Sequence, residues 1–370
     1  MRLLICAGGT GGGVYPALAV LQALQQEADR GLDLKVLWVG SEGGMEADLV
    51  QRNQIPYTAI RAAGVHGVGW RTLPHNLWLL SQGLAASRRI LQQFKPDLLL
   101  FTGGFVAVPM ALAGHSVPSL LVVPDIEPGL ALKVLGRFAS RIGLIAEESR
   151  QYFPNRAQAC VSGYPVRSDL VKYDKTTARQ TLKLDPNSPV LLVTGGSKGA
   201  RSINRAVLNI LPELPEAVQV LHLTGQLDWP EIQSALAAMP APLVSRYHPQ
   251  PYLHDMGAAL AAADLVVSRA GASTLGEYPI FGLPSVLVPY PYAWRYQKVN
   301  ADYLVRRGAA LMIPDQDLAA QLLPALKSLL NDPQKLQAMS SAMRGLARPD
   351  AAHDLATLSL ELADSSKRRK

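Results

Sequence analysis

Short apolar runs recur along the chain, and each one ends in a glycine or a turn before a helical pattern begins. The runs are RLLICAGG, KVLWVG, DLLLFTGG and SLLVVP in the first half of the chain, and PVLLVTGG, VQVLHLTG, DLVVSRAG and SVLVPY in the second. Apolar strands that alternate with helices are typical of parallel sheets buried on both faces. The sequence therefore predicts an α/β fold with two doubly wound, Rossmann-like sheets.

The alternation occurs twice, and a polar segment, KYDKTTARQTLKLDPNSP, separates the two series. A chain of 370 residues is long enough to form two separate cores. We expect an N-terminal domain over 1–166 and a C-terminal domain over 167–343, which face each other across a cleft. A helix over 344–364 is expected to pack back on the N-terminal domain, and residues 365–370 form a basic tail.

Composition limits the class of protein. The net charge of +7 favours anionic partners. Basic and aromatic residues cluster only around Trp70 and Arg88, so we expect no nucleic acid partner. No run reaches the roughly 18 apolar residues of a membrane span, and glycines interrupt the first run before it could act as a secretory signal, so a cytoplasmic location is expected. The two cysteines, Cys6 and Cys160, predict neither a disulfide framework nor a metal cluster.

Three of the predicted strands end in paired glycines, at 8–13, 103–104 and 195–199. Glycine lets a ligand approach the backbone, and the start of the next helix, expected at Pro16 in the first loop, offers free N–H groups to a phosphate. Tight packing of strand against helix is the alternative explanation. A dinucleotide fingerprint is not matched, because Val14 or Pro16 stands where the third glycine belongs, and neither is a Walker A loop.

Longer motifs make the comparison with a family specific. AGGTGGGVYPALAV, GSEGGMEADLV, TGGFVAVPMALAG, SGYPVRSDL, TGGSKGARSIN, AGASTLGEYPIFGLPSVLVPYP and QKVNADYL follow one another along nearly the whole chain. In this order they resemble the MurG-type transferases of glycosyltransferase family 28. The resemblance implies a GT-B fold without metal or cofactor. It also implies transfer of N-acetylglucosamine from UDP-N-acetylglucosamine to the muramoyl 4-hydroxyl of lipid I, with inversion, which gives lipid II for peptidoglycan synthesis.

The donor site can be read from RAGASTLGE, in which a strand end is followed by a helix start and then by Glu277. N–H groups and hydroxyls there suit a diphosphate, and a carboxylate can accept both ribose hydroxyls. A helix cap followed by a first-turn glutamate would explain the same spacing. The resemblance places Glu277 on the ribose, in the C-terminal domain. It implies further donor contacts from Arg167 near the diphosphate, Ser197, Tyr252 and Leu253 at the uracil, Ala272, Ser273, Thr274, and Gln297 and Asn300 at the sugar.

The acceptor side is expected in the N-terminal domain. There the resemblance implies that the backbone of Thr10, Gly11, Gly12, Gly13 and Gly104 surrounds the acceptor diphosphate. Residues 64–94 combine apolar and basic side chains suited to an anionic membrane surface, although an amphipathic helix packed on the core is an equal alternative. These side chains are Trp70, Leu73, Leu77, Trp78, Arg71, Arg88 and Arg89. We therefore expect a peripheral protein at the cytoplasmic face of the cell membrane.

Two departures from the family bear on mechanism. Gly13 stands where the family has a histidine, and the family's HEQN segment is replaced by Pro124, Asp125, Ile126 and Glu127. The acceptor hydroxyl must still lose a proton, so Asp125 and Glu127 are the candidate general bases, although either could instead position a sugar hydroxyl or cap the next helix. Glu46 and His115 are the next candidates.

The departures keep other functions open. A related glycolipid glycosyltransferase, a UDP-N-acetylglucosamine 2-epimerase, and a UDP-sugar-binding protein that has lost activity share the expected architecture. Ser197, Glu277 and Gln297 are present, which favours a retained donor site.

Overall fold

The computed structural model describes residues 1–8, 11–44, 46–62, 73–153, 158–292 and 296–367. The strands are β1 (Arg2–Cys6), β2 (Lys35–Ser41), β3 (Tyr57–Ile60), β4 (Leu98–Phe101), β5 (Ser119–Val123), β6 (Arg141–Leu144), β7 (Ala159–Val161), β8 (Val190–Thr194), β9 (Gln219–Leu223), β10 (Tyr247–Gln250), β11 (Leu265–Ser268), β12 (Ser285–Leu287) and β13 (Ala310–Met312).

The α-helices are α1 (Gly11–Ala28), α2 (Glu46–Arg52), α3 (Leu73–Phe94), α4 (Ala107–Ala113), α5 (Leu130–Leu135), α6 (Lys175–Thr181), α7 (Arg201–Ile210), α8 (Trp229–Ala237), α9 (Ala241–Val244), α10 (Met256–Ala262), α11 (Glu277–Phe281), α12 (Tyr296–Val305), α13 (Leu318–Leu330), α14 (Pro333–Arg344) and α15 (Ala351–Lys367). Short 3-10 helices occupy Glu147–Tyr152, Ser168–Lys172, Leu211–Glu213, Ala272–Leu275 and Asp315–Asp317.

The chain divides into two compact units. The first unit is Met1–Arg167 together with Arg348–Lys370, and the second is Ser168–Ala347. Each unit contains its own parallel sheet, so the predicted α/β class with two doubly wound sheets is confirmed. Within the described ranges, no helix has the length and apolar content needed to cross a bilayer.

The sheet of the first unit has the strand order β3-β2-β1-β4-β5-β6-β7 in the described part of the chain. Every neighbouring pair is parallel, as for Leu3 opposite both Val36 and Leu98. The strand order reverses between β1 and β4, which is where α/β sheets bind ligands. Helix α15 packs on α1 and buries Leu355 and Ala356 in the core of this unit.

The sheet of the second unit has the order β10-β9-β8-β11-β12-β13 among the described strands, again all parallel. Its order reverses between β8 and β11. The two strands meet at Leu191 and Leu265, which are fully buried. The glycine-rich loops that follow β8 and β11 therefore lie side by side at the carboxyl edge of the sheet.

The eight apolar runs correspond to the central strands of the two sheets. Strands that the runs did not include, namely β3, β6, β7, β10 and β13, lie at or next to the sheet edges. Two helix starts were also predicted wrongly. Helix α1 begins at Gly11 rather than Pro16, and the last helix begins at Ala351, because Gly345 ends α14 and Pro349 interrupts the expected continuous helix.

Candidate functional site

Three loops of the first unit meet at Gly8, directly after β1. A Cβ placed on Gly8 would lie 2.5 Å from Oε1 of Glu46, the first residue of the helix that follows β2. A Cβ placed on Gly104, in the loop after β4, would lie 2.9 Å from the carbonyl oxygen of Gly8. Gly104 also has a φ of 88°, which favours glycine. The carboxyl ends of three neighbouring strands are thus packed so closely that side chains are excluded.

Gly13 belongs to the first turn of α1 and is buried. The hydroxyl of Thr102 donates to the carbonyl oxygen of Gly13 at 2.5 Å. A Cβ placed on Gly13 would lie 3.4 Å from the Gly8 carbonyl oxygen, an ordinary contact distance. The site where the family has a histidine can therefore accept the first atom of a side chain.

The N-terminus of α1 is the part of this unit best suited to a phosphate. Gly11 and Gly12 present the first N–H groups of an 18-residue helix at the carboxyl edge of the sheet. The guanidinium of Arg167 lies 4.8 Å above the ring of Tyr15, which belongs to α1. Arg167 is thus in the first unit, beside the glycine loop, and not in the Ser168–Ala347 unit with which it was grouped from sequence. Thr10 lies outside the described residues.

The Pro124–Glu127 segment follows β5. The side chain of Glu127 is only 5% exposed and forms an ion pair with Lys133, whose Nζ lies 3.4 Å from Glu127 Oε1. Asp125 is half-buried. Neither carboxylate is the N-cap of α5, because Gly129 occupies that position. Of the two candidate bases, Asp125 is the more accessible.

The two reserve candidates lie in different surroundings. Glu46 is fully buried, and its Oε1 accepts hydrogen bonds from the backbone N–H and the hydroxyl of Ser41 at 2.7 and 2.6 Å. His115 is exposed just after the end of α4. A helix between parallel strands runs back toward their amino ends, so His115 lies at the edge of the sheet opposite to the glycine loops. His115 is therefore not placed to act there.

In the second unit, the AGAST segment folds into two very short helices rather than one long one. The 3-10 helix Ala272–Leu275 follows Gly271, and α11 begins at Glu277. The hydroxyl of Thr274 is buried and donates to the carbonyl oxygen of Gly271 at 2.7 Å. Ser273 and Glu277 are half-buried. Ser273 and Glu277 are thus the side chains of this segment that remain accessible to a ligand, and Ala272 is buried.

Helix α12 carries the two residues expected at the sugar, and the structure separates their roles. Oε1 of Gln297 accepts a hydrogen bond from the N–H of Tyr290 at 2.8 Å, in the loop after β12. Asn300 is fully buried, and its Nδ2 donates to the carbonyl oxygen of Ala270 at 3.3 Å. Asn300 thus donates to the loop that follows β11, and its expected contact with the sugar stays a prediction.

The loop after β8 is open to solvent at Ser197, as expected for a ligand contact. Gly199 has a φ of 76°, and a Cβ there would overlap the carbonyl oxygen of Thr224. After β10, the ring of Tyr252 is 37% exposed and meets His254 edge-on at 4.8 Å, and Leu253 is half-buried next to it. Ser197 and Tyr252 lie at the carboxyl edge that also carries Glu277.

Sequence reasoning missed Arg269, which contacts three separate segments of the second unit. Its guanidinium pairs with Asp315, donates to the hydroxyl of Ser202 at 2.9 Å and lies 5.3 Å above the ring of Tyr290. The sequence pattern that could have identified Arg269 is a basic residue between a buried strand and the first glycine of a turn. Arg269 therefore connects the segments that follow β8, β12 and β13 at the carboxyl edge of this sheet.

A buried histidine was also missed. His222 in β9 lies with Nδ1 2.9 Å from the hydroxyl of Tyr247 and Nε2 2.9 Å from Oδ1 of Asn204. The Nδ2 of Asn204 donates to Asp228 and to the carbonyl oxygen of Thr224, both at 2.8 Å. Burial lowers the pKa of His222 to about 3, so the ring is neutral and connects the strands to the loop after β9.

Each unit is a parallel sheet with glycine loops at its carboxyl edge, an arrangement that suits nucleotide and phosphate ligands. Residues 3–144 match the N-terminal domain of glycosyltransferase family 28, and residues 190–355 match its C-terminal domain. The chain belongs to glycosyltransferase family 28, which confirms the resemblance found in its motifs.

Individual relatives make the comparison within the family more specific. The chain is 40% identical to the UDP-N-acetylglucosamine--N-acetylmuramyl-(pentapeptide) pyrophosphoryl-undecaprenol N-acetylglucosamine transferase of Roseiflexus sp. (strain RS-1), over 97% of this chain and 94% of that protein. It is similar to the crystal structure of Acinetobacter baumannii MurG, with a TM-score of 0.74 and 29% identity, over 97% and 99% of the two chains. The UDP-GlcNAc 2-epimerase of Neisseria meningitidis shares the fold, with a TM-score of 0.70 but only 15% identity, over 98% and 100%.

Proposed function

We propose that this chain transfers N-acetylglucosamine from UDP-N-acetylglucosamine to the muramoyl 4-hydroxyl of lipid I, with inversion, to give lipid II and UDP. The observation that carries the proposal is 40% identity, over 97% of the chain, to a transferase named for this donor and acceptor. The geometry is compatible with it. The first unit presents backbone N–H groups and Arg167 to a phosphate, and the second presents accessible Ser197, Tyr252, Ser273 and Glu277 to a nucleotide.

Each substrate has a distinct chemical need. As the acceptor oxygen bonds to the anomeric carbon, the bond from that carbon to the UDP oxygen breaks and the hydroxyl proton passes to a base. The departing diphosphate carries the negative charge that develops, and positive charge or aligned N–H groups stabilise it. On the donor, Glu277 can accept the ribose hydroxyls and the ring of Tyr252 can pack on uracil. Gln297, whose Oε1 already accepts from Tyr290, has its amide N–H groups to donate to sugar hydroxyls.

Asp125 is the proposed general base. It follows β5 at the carboxyl edge and is half-buried, whereas the neighbouring Glu127 is buried against Lys133. Asp125→Asn should lower turnover more than a hundredfold with little change in donor KM, within the range that general bases contribute. Glu127→Gln should cost less than tenfold. The opposite ranking would assign the base to Glu127, and near-normal turnover in both variants would exclude both.

The reaction is tested by following UDP release from UDP-N-acetylglucosamine with and without a lipid I analogue. Release that depends on the acceptor supports the transferase. Conversion of the donor to its mannosamine epimer without acceptor would show an epimerase, and binding without turnover would show a protein that has lost activity. A parallel reaction with diacylglycerol covers the glycolipid alternative, since Gly13 and the Pro124–Glu127 segment depart from the family. Glu277→Ala should raise donor KM without changing acceptor KM.

A membrane-facing edge is proposed for the first unit. Trp78, Phe105 and Leu130 are 52%, 59% and 45% exposed. Because α3, α4 and α5 each begin at the carboxyl edge of the sheet, these side chains lie on the same edge as the glycine loops. Exposed Arg88 and Arg89 follow Trp78 on α3. The exposed apolar side chains suit the interface of a lipid surface, and the two arginines, about 15 Å further along α3, add attraction to anionic headgroups. Both would bring the enzyme to a lipid-linked acceptor.

Vesicle binding tests this surface. The double variant Trp78→Ser/Phe105→Ser should bind anionic vesicles at least tenfold more weakly and retain its affinity for the UDP-sugar. Leu227→Ser is the matched control, since Leu227 is 74% exposed but belongs to the second unit. Equal vesicle binding by the native protein, the double variant and Leu227→Ser would exclude the membrane-facing edge. The remaining residues expected at the membrane cannot be compared, because Trp70, Arg71 and the side chains of Leu73 and Leu77 lie outside the described part of the chain.

A further inference from the structure

We infer that Glu46 is a positioning residue, whose buried carboxylate sets the place of Gly8 and, through it, of the glycine loop at the start of α1. This inference rests on the proposed function in one respect, because that function assigns the loop to the acceptor diphosphate. Glu46 itself is fully buried and is not expected to touch either substrate.

The carboxylate of Glu46 is fixed from its own side of the sheet. Glu46 is the first residue of α2, and Ser41 is the last residue of β2. The backbone N–H and the hydroxyl of Ser41 both donate to Oε1 of Glu46, at 2.7 and 2.6 Å. Hydrogen bonds to an ionised carboxylate are short and stronger than neutral ones. The carboxylate is therefore a rigid extension of β2.

Gly8 lies against this carboxylate. A Cβ on Gly8 would meet Oε1, Cδ and Oε2 of Glu46 at 2.5, 2.8 and 3.2 Å, and these are its three nearest atoms. The φ of Gly8 is not in the left-handed region. What excludes a side chain at this position is thus the carboxylate of Glu46, and not the conformation of the backbone.

Gly8 is also fixed from the other side. A Cβ on Gly104 would lie 2.9 Å from the carbonyl oxygen of Gly8, and Nε1 of Trp38 donates to the carbonyl oxygen of Ala7 at 2.9 Å. The backbone at Gly8 therefore fills the space between Glu46 and the loop after β4. From this point the chain leads into the first N–H groups of α1. A displacement of Glu46 would move those N–H groups, and misplacement by about 1 Å can cost a hundredfold in rate.

The charge of Glu46 does not itself favour an anionic ligand, since a negative charge beneath a phosphate site opposes binding. Its neighbours remain neutral. Burial, and then the charge of Glu46, raises the pKa of Tyr57 to about 12, and the same two causes raise the pKa of the Cys6 thiol. The useful property of Glu46 is therefore its shape and its hydrogen bonds to Ser41, which glutamine can largely reproduce.

The experiment compares Glu46→Gln, Glu46→Ala, Gly8→Ala and the double variant Gly8→Ala/Glu46→Ala in the acceptor-dependent release of UDP. Glu46→Gln should retain kcat and acceptor KM within threefold. Glu46→Ala should lower kcat/KM for the acceptor at least tenfold and leave donor KM unchanged. Gly8→Ala should cost about a hundredfold in the native background but less than threefold when Glu46 is already alanine, because the clash is then absent. Glu42→Ala removes an exposed carboxylate in the loop before α2, is the matched control and should change nothing.

Hydrogen exchange separates this inference from the proposed function. Peptides that cover the start of α1 should exchange faster in Glu46→Ala than in Glu46→Gln or Glu42→Ala. If the native protein shows no acceptor-dependent release but this exchange pattern holds, the proposed function fails and the positioning role stands. Equal losses in Glu46→Gln and Glu46→Ala, or a Gly8→Ala cost that is the same in both backgrounds, would overturn the inference. Circular dichroism of each variant excludes a simple failure to fold.

Discussion

Replacing His222 by glutamine should change the stability of the protein in a direction that depends on pH. The variant should be less stable than the native protein at pH 7.5, and equally or more stable at pH 4.5. The reason is that burial holds the His222 ring neutral in the folded protein, with a pKa of about 3 against an ordinary value of 6.5. The nearby charge of Asp228 opposes this effect but is the smaller cause.

The size of the effect follows from the two pKa values. Below pH 6.5 the unfolded chain takes up a proton at His222, and the folded protein does not until the pH approaches 3. The unfolded state therefore binds more protons in this window, and the free energy of unfolding falls by about 1.4 kcal/mol for each pH unit of acidification. At pH 4.5, two units below the ordinary value, the native protein has lost about 3 kcal/mol through this residue.

The cost of the substitution at neutral pH comes from the partners of the ring. His222 lies 2.9 Å from both the Tyr247 hydroxyl and the Asn204 amide oxygen, and glutamine cannot meet both with the same geometry. A buried polar group that loses its partner costs about 1–3 kcal/mol. The variant should thus be less stable by about 2 kcal/mol at pH 7.5, and the loss in the native protein should offset this difference near pH 5.

The assay is urea unfolding of both proteins from pH 7.5 to 4.5, with hydrogen exchange of β9 peptides to assign the transition to the Ser168–Ala347 unit. His254→Gln is the control, because His254 is exposed in the same unit. Its difference from the native protein should not vary with pH by more than about 0.5 kcal/mol, as for other surface changes. A constant offset between native protein and His222→Gln at every pH would refute the reasoning, because it would mean that the folded protein protonates His222 as readily as the unfolded chain.

Three further predictions concern other parts of the fold. In the Asp125→Asn background, Gly13→His should raise turnover at least tenfold. The helix has room for a Cβ at Gly13, and the imidazole can accept the proton of the acceptor hydroxyl. A further loss of turnover would show that the ring does not reach this hydroxyl. Asp264→Asn should lower the free energy of unfolding in urea by about 2 kcal/mol, since it removes the charge that pairs with buried Arg179 at 2.7 Å. An unchanged urea midpoint would contradict this. Gly282→Ala should lower Tm by about 4 °C, because Gly282 caps α11 with a φ of 59°; an unchanged Tm would show that the cap relaxes.

The centre of each sheet could be predicted from sequence, and the edges could not. The eight apolar runs form β1, β2, β4, β5, β8, β9, β11 and β12, which are buried except for Arg2 and the two ends of β2. The remaining strands are short, as in Ala159–Val161, or contain polar residues and proline, as in Tyr247–Gln250. An edge strand has one neighbour and is less enclosed, so packing selects weakly for continuous apolar residues there.

At Ser197 and Glu277 the structure leaves the side chains accessible, as a ligand contact requires, and their contact with the donor stays a prediction. The candidate site could not be predicted where a residue acts through contacts distant in sequence. The spacing of Asn300 on its helix fits an exposed sugar contact as well as the buried bond to Ala270 that the structure contains. In the same way, the glycines at 8–13 indicated close approach to the backbone, but the atom that approaches Gly8 belongs to Glu46, which lies beyond the next strand.

The two units should therefore differ in which substitutions lower activity. In the second unit, accessible side chains such as Glu277 are proposed to contact the nucleotide, so direct substitution should reveal them. In the first unit, Gly13 contributes no side chain, and the groups proposed for a phosphate are the N–H groups of the α1 N-terminus together with Arg167. Backbone groups cannot be removed by substitution, but the residues that hold them can. Apart from the base and Arg167, the largest effects on the acceptor should therefore come from buried residues such as Glu46 and Thr102 that touch no substrate.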